Sequence, residues 1–323
     1  MYRMKVAAIV IMSALMTNTS QAESYPTRPV RLVVPFAPGG VTDLAARLVG
    51  QQLSTKWKQQ VVIENKPGAG GVIGVELAAR SDPDGYTLLM ATNGEITINP
   101  AISSKTRYDS QRDIIPIAMV TSTPFVWSAN SSANINSLSE LVARAKQKPG
   151  DLAYSSAGIG SSAHMATEQF AAATGIKLLH VPYRGGAPAA AAIVSGDVPV
   201  AAVALSSALP VIESGKVKLL ATTSVKRSTL APDVPTVNET GVLKDFRSEI
   251  WTALFAPAGT PAAIVSRIET DVLEVLRDPA VIARLQQAGA DPVGMPADQL
   301  RAYIPKELDA MKKLAHEASI RVD

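Results

Sequence analysis

Cysteine is absent from all 323 residues, which excludes disulfides, thiol catalysis and a lipid-modified N-terminal cysteine. Histidine occurs only at positions 164, 180 and 316, so metal centres and nucleophile–histidine pairs have few places to form. Long hydrophobic runs are missing too: no stretch approaches the ~20 apolar residues that a membrane-spanning helix needs. Nor does one sign of charge dominate. Of the 31 basic residues, Arg3 and Lys5 lie in the first 22 positions, which leaves 29 Lys and Arg against 28 Asp and Glu, a balance that does not speak for nucleic acid. Aromatic residues make up 5% of the chain, yet 47% hydrophobic against 18% charged is an ordinary globular composition, and the length suits one large or two medium domains.

Arg3 and Lys5 precede an apolar segment at residues 6–16, and Ser20-Gln21-Ala22 supplies small residues in the pattern a signal peptidase reads. Residues 1–22 are therefore expected to be a secretory signal peptide, with a mature chain that begins near Glu23. An exported, cysteine-free, unanchored chain of this kind reads as a soluble bacterial periplasmic protein.

The apolar run at residues 30–37 is rich in β-branched residues, and Leu44, Leu48, Val49, Leu53 and Trp57 recur at helical spacing, so the first unit reads as strand, turn, helix. Its turn, Pro35-Phe36-Ala37-Pro38-Gly39-Gly40-Val41-Thr42-Asp43, offers two glycines for close backbone approach and Thr42 or Asp43 as a helix cap. Such a corner is either an anion seat or an ordinary capped βα turn. Residues 61–63 give a second strand, which runs into a glycine-rich turn at 64–71 and a helix through Val75, Leu77, Ala78 and Ala79. After the turn Asp82-Pro83-Asp84-Gly85, a third strand ends in Thr92-Asn93-Gly94-Glu95. The βαβαβ order predicts a parallel sheet, with these loops gathered at its carboxyl edge.

Residues 114–127, broken by Pro116 and Pro124, read as a chain passing between domains. A second αβ series follows, with strands at 152–156, 178–183, 199–205 and 217–222. In this series Ser155-Ser156-Ala157-Gly158-Ile159-Gly160-Ser161-Ser162 joins a strand to a helix. Residues 226–248 are expected to be irregular and 250–255 a return strand. From Pro261 onward a helical layer is expected, broken at Asp278-Pro279, Gly289 and Pro292.

Dinucleotide binding fails on spacing: glycines at 68, 70, 71 and 74 leave Ile73 where the fingerprint requires glycine. Neither a phosphate loop nor a nucleophile elbow occurs. Ser161 and His164 stand three apart at a helix start, a spacing that fits nucleophile and base less well than a helix cap beside a partly buried histidine. His180 is expected in the core and His316 in solvent. Recognition remains: a cleft lined by helix N-termini and free backbone N–H groups suits a carboxylate held reversibly.

Several motifs, in one order and over essentially the whole mature chain, resemble the solute-binding receptors of tripartite tricarboxylate transporters. They are Tyr25-Pro26-Thr27-Arg28-Pro29-Val30-Arg31, Val62-Ile63-Glu64-Asn65-Lys66-Pro67-Gly68-Ala69-Gly70-Gly71, Asp82-Pro83-Asp84-Gly85-Tyr86-Thr87-Leu88-Leu89 and Ile98-Asn99-Pro100, then Val181-Pro182-Tyr183-Arg184-Gly185-Gly186-Ala187-Pro188, Trp251 and Ala256-Pro257-Ala258-Gly259-Thr260-Pro261. The resemblance implies a two-lobed α/β periplasmic binding protein of Venus-flytrap type, with a parallel-type sheet in each lobe and a C-terminal helical layer. Lobe 1 would comprise residues 23–125 and 252–323, and lobe 2 residues 126–251. The protein would be a monomeric, non-enzymatic receptor that captures a small organic acid, uses no cofactor, metal or nucleic acid, and delivers its solute to membrane permease subunits. Carried onto this sequence, the resemblance makes Phe36, Gly39, Gly40 and Asp43 one ligand wall, with Gly68 and Ala69 beside it and Asn93 and Glu95 on the third loop. Ser156, Gly160, Ser161 and Ser162 form the facing wall, with Tyr183 and Arg184 at the end of a second-lobe strand. Arg184 either meets a second carboxylate or braces the lobe interface, and its glycine-rich neighbours favour the brace. Glu95, where many relatives carry a hydroxyl residue, either favours a ligand with an amino group or caps the next turn from an exposed position. The strand end Ala202-Val203-Ala204-Leu205-Ser206 is less acidic than usual, which argues against a ligand contact from there. A ligand-sensing partner of a membrane signalling protein would use the same cleft, and a periplasmic hydrolase is a further alternative on the same scaffold.

Overall fold

The computed structural model describes residues 25–36, 38–183, 185–212 and 214–321, so the expected signal peptide lies outside the described residues. The first series runs β1 (Val30–Val34), α1 (Val41–Trp57), β2 (Val61–Asn65), α2 (Val72–Ala79), β3 (Thr87–Thr92), α3 (Asn99–Ile102) and β4 (Ile114–Asn130). The second runs α4 (Leu138–Gln147), β5 (Ala153–Ser156), α5 (Ser162–Thr174), β6 (Leu179–Pro182), α6 (Gly186–Ser195), β7 (Val200–Ala204), α7 (Leu205–Ile212) and β8 (Val217–Thr222). The chain then returns through β9 (Glu249–Pro257), α8 (Ala262–Val275), α9 (Pro279–Gln287), β10 (Asp291–Pro296) and α10 (Ala297–Glu317).

Along α1, Leu48, Val49, Leu53 and Trp57 are all buried. Burial of a large aliphatic side chain stabilises by about 1.5–3 kcal/mol, so α1 is held by its apolar face rather than by its start, where Gly40 provides no side-chain cap. Trp57 also donates its indole N–H to Asp271 of α8 at 2.7 Å, a polar tie between two packed helices.

β1 lies between β2 and β3, parallel to both. In the second series β5 lies between β6 and β7, again parallel. The two parallel triplets are joined by antiparallel strands, so the sheet as a whole is mixed, in the order β2-β1-β3-β9-β4-β7-β5-β6. Residues 114–127, expected as a connecting segment, belong to a single strand. β4 pairs with β9 from Ile114 to Pro124 and with β7 from Phe125 to Ala129. Its prolines mislead because they lack an N–H for the ladder, yet Pro116 stands at a register irregularity and Pro124 at the last β9 pair, where that loss is tolerated. The same reason hid β10: the Pro-containing break in the expected helical layer is a bulged strand on β4, irregular between Pro292 and Met295.

Separate apolar cores cover the two parts of the sheet. One gathers Leu32, Leu53, Leu88, Ile117 and Ile268. Another gathers Trp127, Tyr154, Phe170, Leu220 and Phe246. The carboxyl ends of β1, β2, β3 and β5 and the loops that follow them supply the candidate site.

Candidate functional site

The first wall is the turn between β1 and α1. Gly39 and Gly40 are exposed, and a Cβ built on either meets nothing within 4 Å, so both face open space. Gly40 is in extended backbone, whereas Gly39, with φ of 94°, occupies the left-handed region that side chains disfavour. Asp43 lies beneath the turn, 2% exposed. Its carboxylate accepts the Gly39 N–H at 2.9 Å, the Arg47 Nε–H at 2.9 Å and the Asn65 amide at 2.9 Å. Asn65 donates in turn to the Phe36 carbonyl at 2.9 Å. Burial by itself raises the Asp43 pKa, but the bonds from Arg47, Gly39 and Asn65 outweigh it and hold the group below the usual carboxylate range. Asp43 is therefore an ionised brace beneath the wall.

Beside it, Gly68 and Ala69 are exposed in the turn after β2. Asn99 donates its amide to the Gly70 carbonyl at 2.9 Å, which gives the Asn-Pro motif a structural task. Gly71 is required by its neighbour, since a Cβ there would stand 2.5 Å from Glu95 Cγ. Glu95 itself is 2% exposed, in a turn of π-helix at Gly94–Ile98 that follows β3. Its carboxylate accepts the Thr92 N–H at 2.8 Å and the Thr92 hydroxyl at 3.0 Å. The expectation of an exposed cap is thereby corrected: the group is buried. Burial pushes its pKa up to about 7, against the two Thr92 bonds.

The facing wall starts at Ser156, fully buried at the end of β5. Its hydroxyl lies 2.6 Å from His180 Nε2 and accepts the Gly158 N–H at 3.2 Å, so this serine shapes the turn from within. Ser161 caps α5 by accepting the His164 N–H at 3.2 Å. The hydroxyl is thus engaged with backbone, and His164 Nδ1 accepts the Gly160 N–H at 3.0 Å, so the nucleophile–base geometry does not form. Tyr183 is half-buried and donates its N–H to the Ser156 carbonyl at 3.0 Å. Arg184 lies outside the described residues.

Among the described residues, the facing wall is joined to the loop after β3 by a side-chain bond: Ser162 donates to Asn93 Oδ1 at 3.2 Å. Asn93 is also fixed from the β9 side, donating to the Glu249 carbonyl at 3.0 Å. Asn93 and Ser162 line a cavity of about 310 Å³ with residues the sequence reading did not select, among them Ser122, Arg247, Glu249 and Glu307. Arg247 and Ser122 both donate to Glu249, while Glu307 accepts from Trp251 at 2.8 Å and Thr97 at 3.0 Å. Burial raises the Glu307 pKa, and those donors oppose the rise. Trp251 carried a signal as part of the motif series. The others carried none, because β4, β9 and α10 are brought together only by the tertiary fold. Among the described residues no group of three His, Asp or Glu side chains is placed to hold a metal ion, and no helix is long and apolar enough to cross a membrane.

This architecture is shared with solved periplasmic receptors. An R. palustris protein solved with adipate superposes with a TM-score of 0.82 at 33% identity, over 92% of this chain and 99% of that one. MatC from Rhodopseudomonas palustris, with bound malate, gives 0.77 at 31% identity, over 90% and 99%. The fold is thus that of a two-lobed α/β periplasmic binding protein. BugT of Bordetella pertussis is 34% identical over 318 residues, 98% of this chain and 97% of its own. The family model described as tripartite tricarboxylate transporter family receptor matches residues 45–320, and the chain belongs to that family.

Proposed function

We propose that this protein is a periplasmic receptor that captures a small organic acid between its lobes and delivers it to the membrane permease of a tripartite-type transporter. The observation that carries this reading is the pair of glycine-containing strand-to-helix turns, one on each parallel triplet, with the Ser162–Asn93 bond joining the second of them to the loop after β3. Unpaired N–H groups in a helix's first turn favour an anion without any cationic side chain. Relatives solved with adipate and malate support a carboxylate as that anion.

On this reading the lobes divide at residues 125 and 252, where β4 leaves β9 for β7 and shortly after β9 begins. Ligand contacts made only in the closed arrangement shift the population toward it, and the permease reads the closed surface. A thermal-shift screen of residues 23–323 against mono-, di- and tricarboxylates, aromatic acids and amino acids tests the receptor step. At ~100-fold excess over Kd a ligand selective for the native state adds about 2.7 kcal/mol of stability. A rise in Tm with one acid, undiminished by excess phosphate, is the expected result. Turnover of the bound acid would instead favour an enzyme, and absence of a response to every acid would overturn carboxylate capture.

A further inference from the structure

Beneath the second-lobe turn lies a stack of three rings that neither the fold nor anion binding by backbone N–H groups explains. His164 of α5 and His180 of β6 are stacked face to face, with centroids 3.9 Å apart and planes at 12°. Tyr154 of β5 covers the other face of His180 at 4.9 Å and 20°. Each imidazole accounts for one end of the turn. His164 Nδ1 accepts the Gly160 N–H at 3.0 Å, so this nitrogen carries no proton and the neutral ring bears its hydrogen on Nε2. His180 Nε2 holds the Ser156 hydroxyl at 2.6 Å. We propose that the His164–His180 pair is the positioning device of this turn: as neutral rings they hold Gly160 and Ser156 in the solute-binding arrangement, and protonation of His164 releases the turn and the bound acid. The inference rests on the receptor reading above.

The chemistry follows from the donor count. A protonated imidazole donates from both nitrogens and accepts at neither, so the Gly160 N–H would face another N–H across 3.0 Å. A charge on His164 would also stand against the face of His180, and a second charge there would repel it. Among the described residues the acidic group facing the pair is Glu168, also on α5, whose Oε1 is 3.9 Å from His164 Nε2 and 3.1 Å from the Tyr154 hydroxyl that donates to it. Burial raises the Glu168 carboxyl, which weakens it as a counter-ion in acid. Burial first, and His180 second, lower the His164 pKa to about 4, and burial lowers that of His180. The folded turn therefore favours neutral imidazole, and acid works against it.

The test has one arm that needs no solute. NMR of the full mature protein, with ¹⁵N-labelled histidine and an assigned Gly160 amide, follows both groups from pH 7.5 to pH 3.5. The expected result is an Nε2–H tautomer for His164 at neutral pH and Gly160 exchange protection that is lost as His164 titrates. A His164 that titrates with no change at Gly160 would overturn the proposal. The second arm measures adipate and malate affinity by calorimetry at pH 7.5 and pH 5. In the released turn His164 is an ordinary imidazole, about 30:1 protonated at pH 5, whereas in the intact turn it stays mainly neutral, so by linkage wild-type affinity is expected to fall on the order of tenfold. His164→Asn keeps an acceptor near the position of Nδ1 but does not titrate. It should recover most of the affinity that His164→Leu loses at pH 7.5, and its pH 5 deficit should shrink to about twofold. An undiminished deficit in His164→Asn would place the proton elsewhere, at Glu95 for instance, and overturn the proposal. If wild-type protein binds neither acid at pH 7.5, those two acids are excluded as solutes while the NMR arm still decides the latch.

Discussion

The two walls solve one problem with different chemistry. Each is a glycine-containing turn between a parallel strand and a helix, and in each a buried side chain on the helix reaches back to take a turn N–H: Asp43 takes Gly39 and His164 takes Gly160. The first acceptor is ionised and reinforced by Arg47 and Asn65. The second is a neutral ring beside another neutral ring. A carboxylate with a depressed pKa keeps its grip across the ordinary pH range, whereas an imidazole keeps it only while unprotonated. On the proposal made above, one wall is a fixed jaw and the other a conditional one.

Removing the fixed brace should have the largest effect. Asp43→Ala leaves the Gly39 N–H, the Arg47 guanidinium and the Asn65 amide without this acceptor, and each of these part-buried groups falls at the low end of the about 1–3 kcal/mol that an unsatisfied group costs. A loss of about 3–4 kcal/mol in urea-unfolding free energy is expected, with acid binding reduced at every pH. A loss below about 1 kcal/mol would mean that the turn holds itself and that the comparison of braces is misplaced.

Acid should act on the second wall first. The folded-state pKa of His164 is lowered to about 4, so its neutral form contributes stability in full above pH ~6.5, and that contribution is lost progressively as pH falls toward 4. The Asp43 pKa is also depressed, so the stability it confers is lost only as pH falls through and below the ordinary carboxylate range. The raised Glu95 carboxyl gains stability over the same range in both proteins, so the change in unfolding free energy between pH 7 and pH 4 should be less favourable in wild type than in His164→Asn by on the order of 2–3 kcal/mol. Parallel curves for the two proteins would erase the asymmetry between the walls.

A smaller effect is expected where the first wall faces the cleft. Gly40 is extended and its Cβ position is empty, so Gly40→Ala should cost less than about 1 kcal/mol of stability, the scale of a weakened helix start. Acid affinity should nevertheless drop several-fold, because the methyl group enters the space in front of the helix N-terminus. Unchanged affinity would move the seat away from this turn.

How much of this was legible in the sequence depends on the range of the interaction. The β1–α1 and β5–α5 turns, the helix cap at Ser161 and the parallel triplets were readable because glycine placement, capping and periodicity act over a few residues. Asp43 was found but its direction was not: sequence places a carboxylate at a helix start without saying that Asn65 and Arg47 turn it inward. The burial of Glu95 was missed for the same reason, since it follows from the approach of Gly71 in the folded chain. His164 and His180 are 16 positions apart, on a helix and a strand, and nothing local announces that the two rings stack. β4 and β10 were missed because their prolines obey strand rules only once the bulges are known.

The smallest expected effect comes from the bond that joins the second wall to the loop after β3, and it asks most directly whether the walls act as a pair. Ser162 is half-buried and its hydroxyl donates to Asn93 at 3.2 Å. Such a bond contributes about 0.5–1.5 kcal/mol net. If it forms only when the lobes are closed, Ser162→Ala should leave unfolding of the ligand-free protein nearly unchanged while weakening acid binding by about two- to tenfold, chiefly through faster dissociation. Calorimetry and stopped-flow release on the same variant separate the cases. An equal loss in stability and in affinity would mean that the bond persists in the open protein, and the two walls would then belong to one body instead of two that close on a solute.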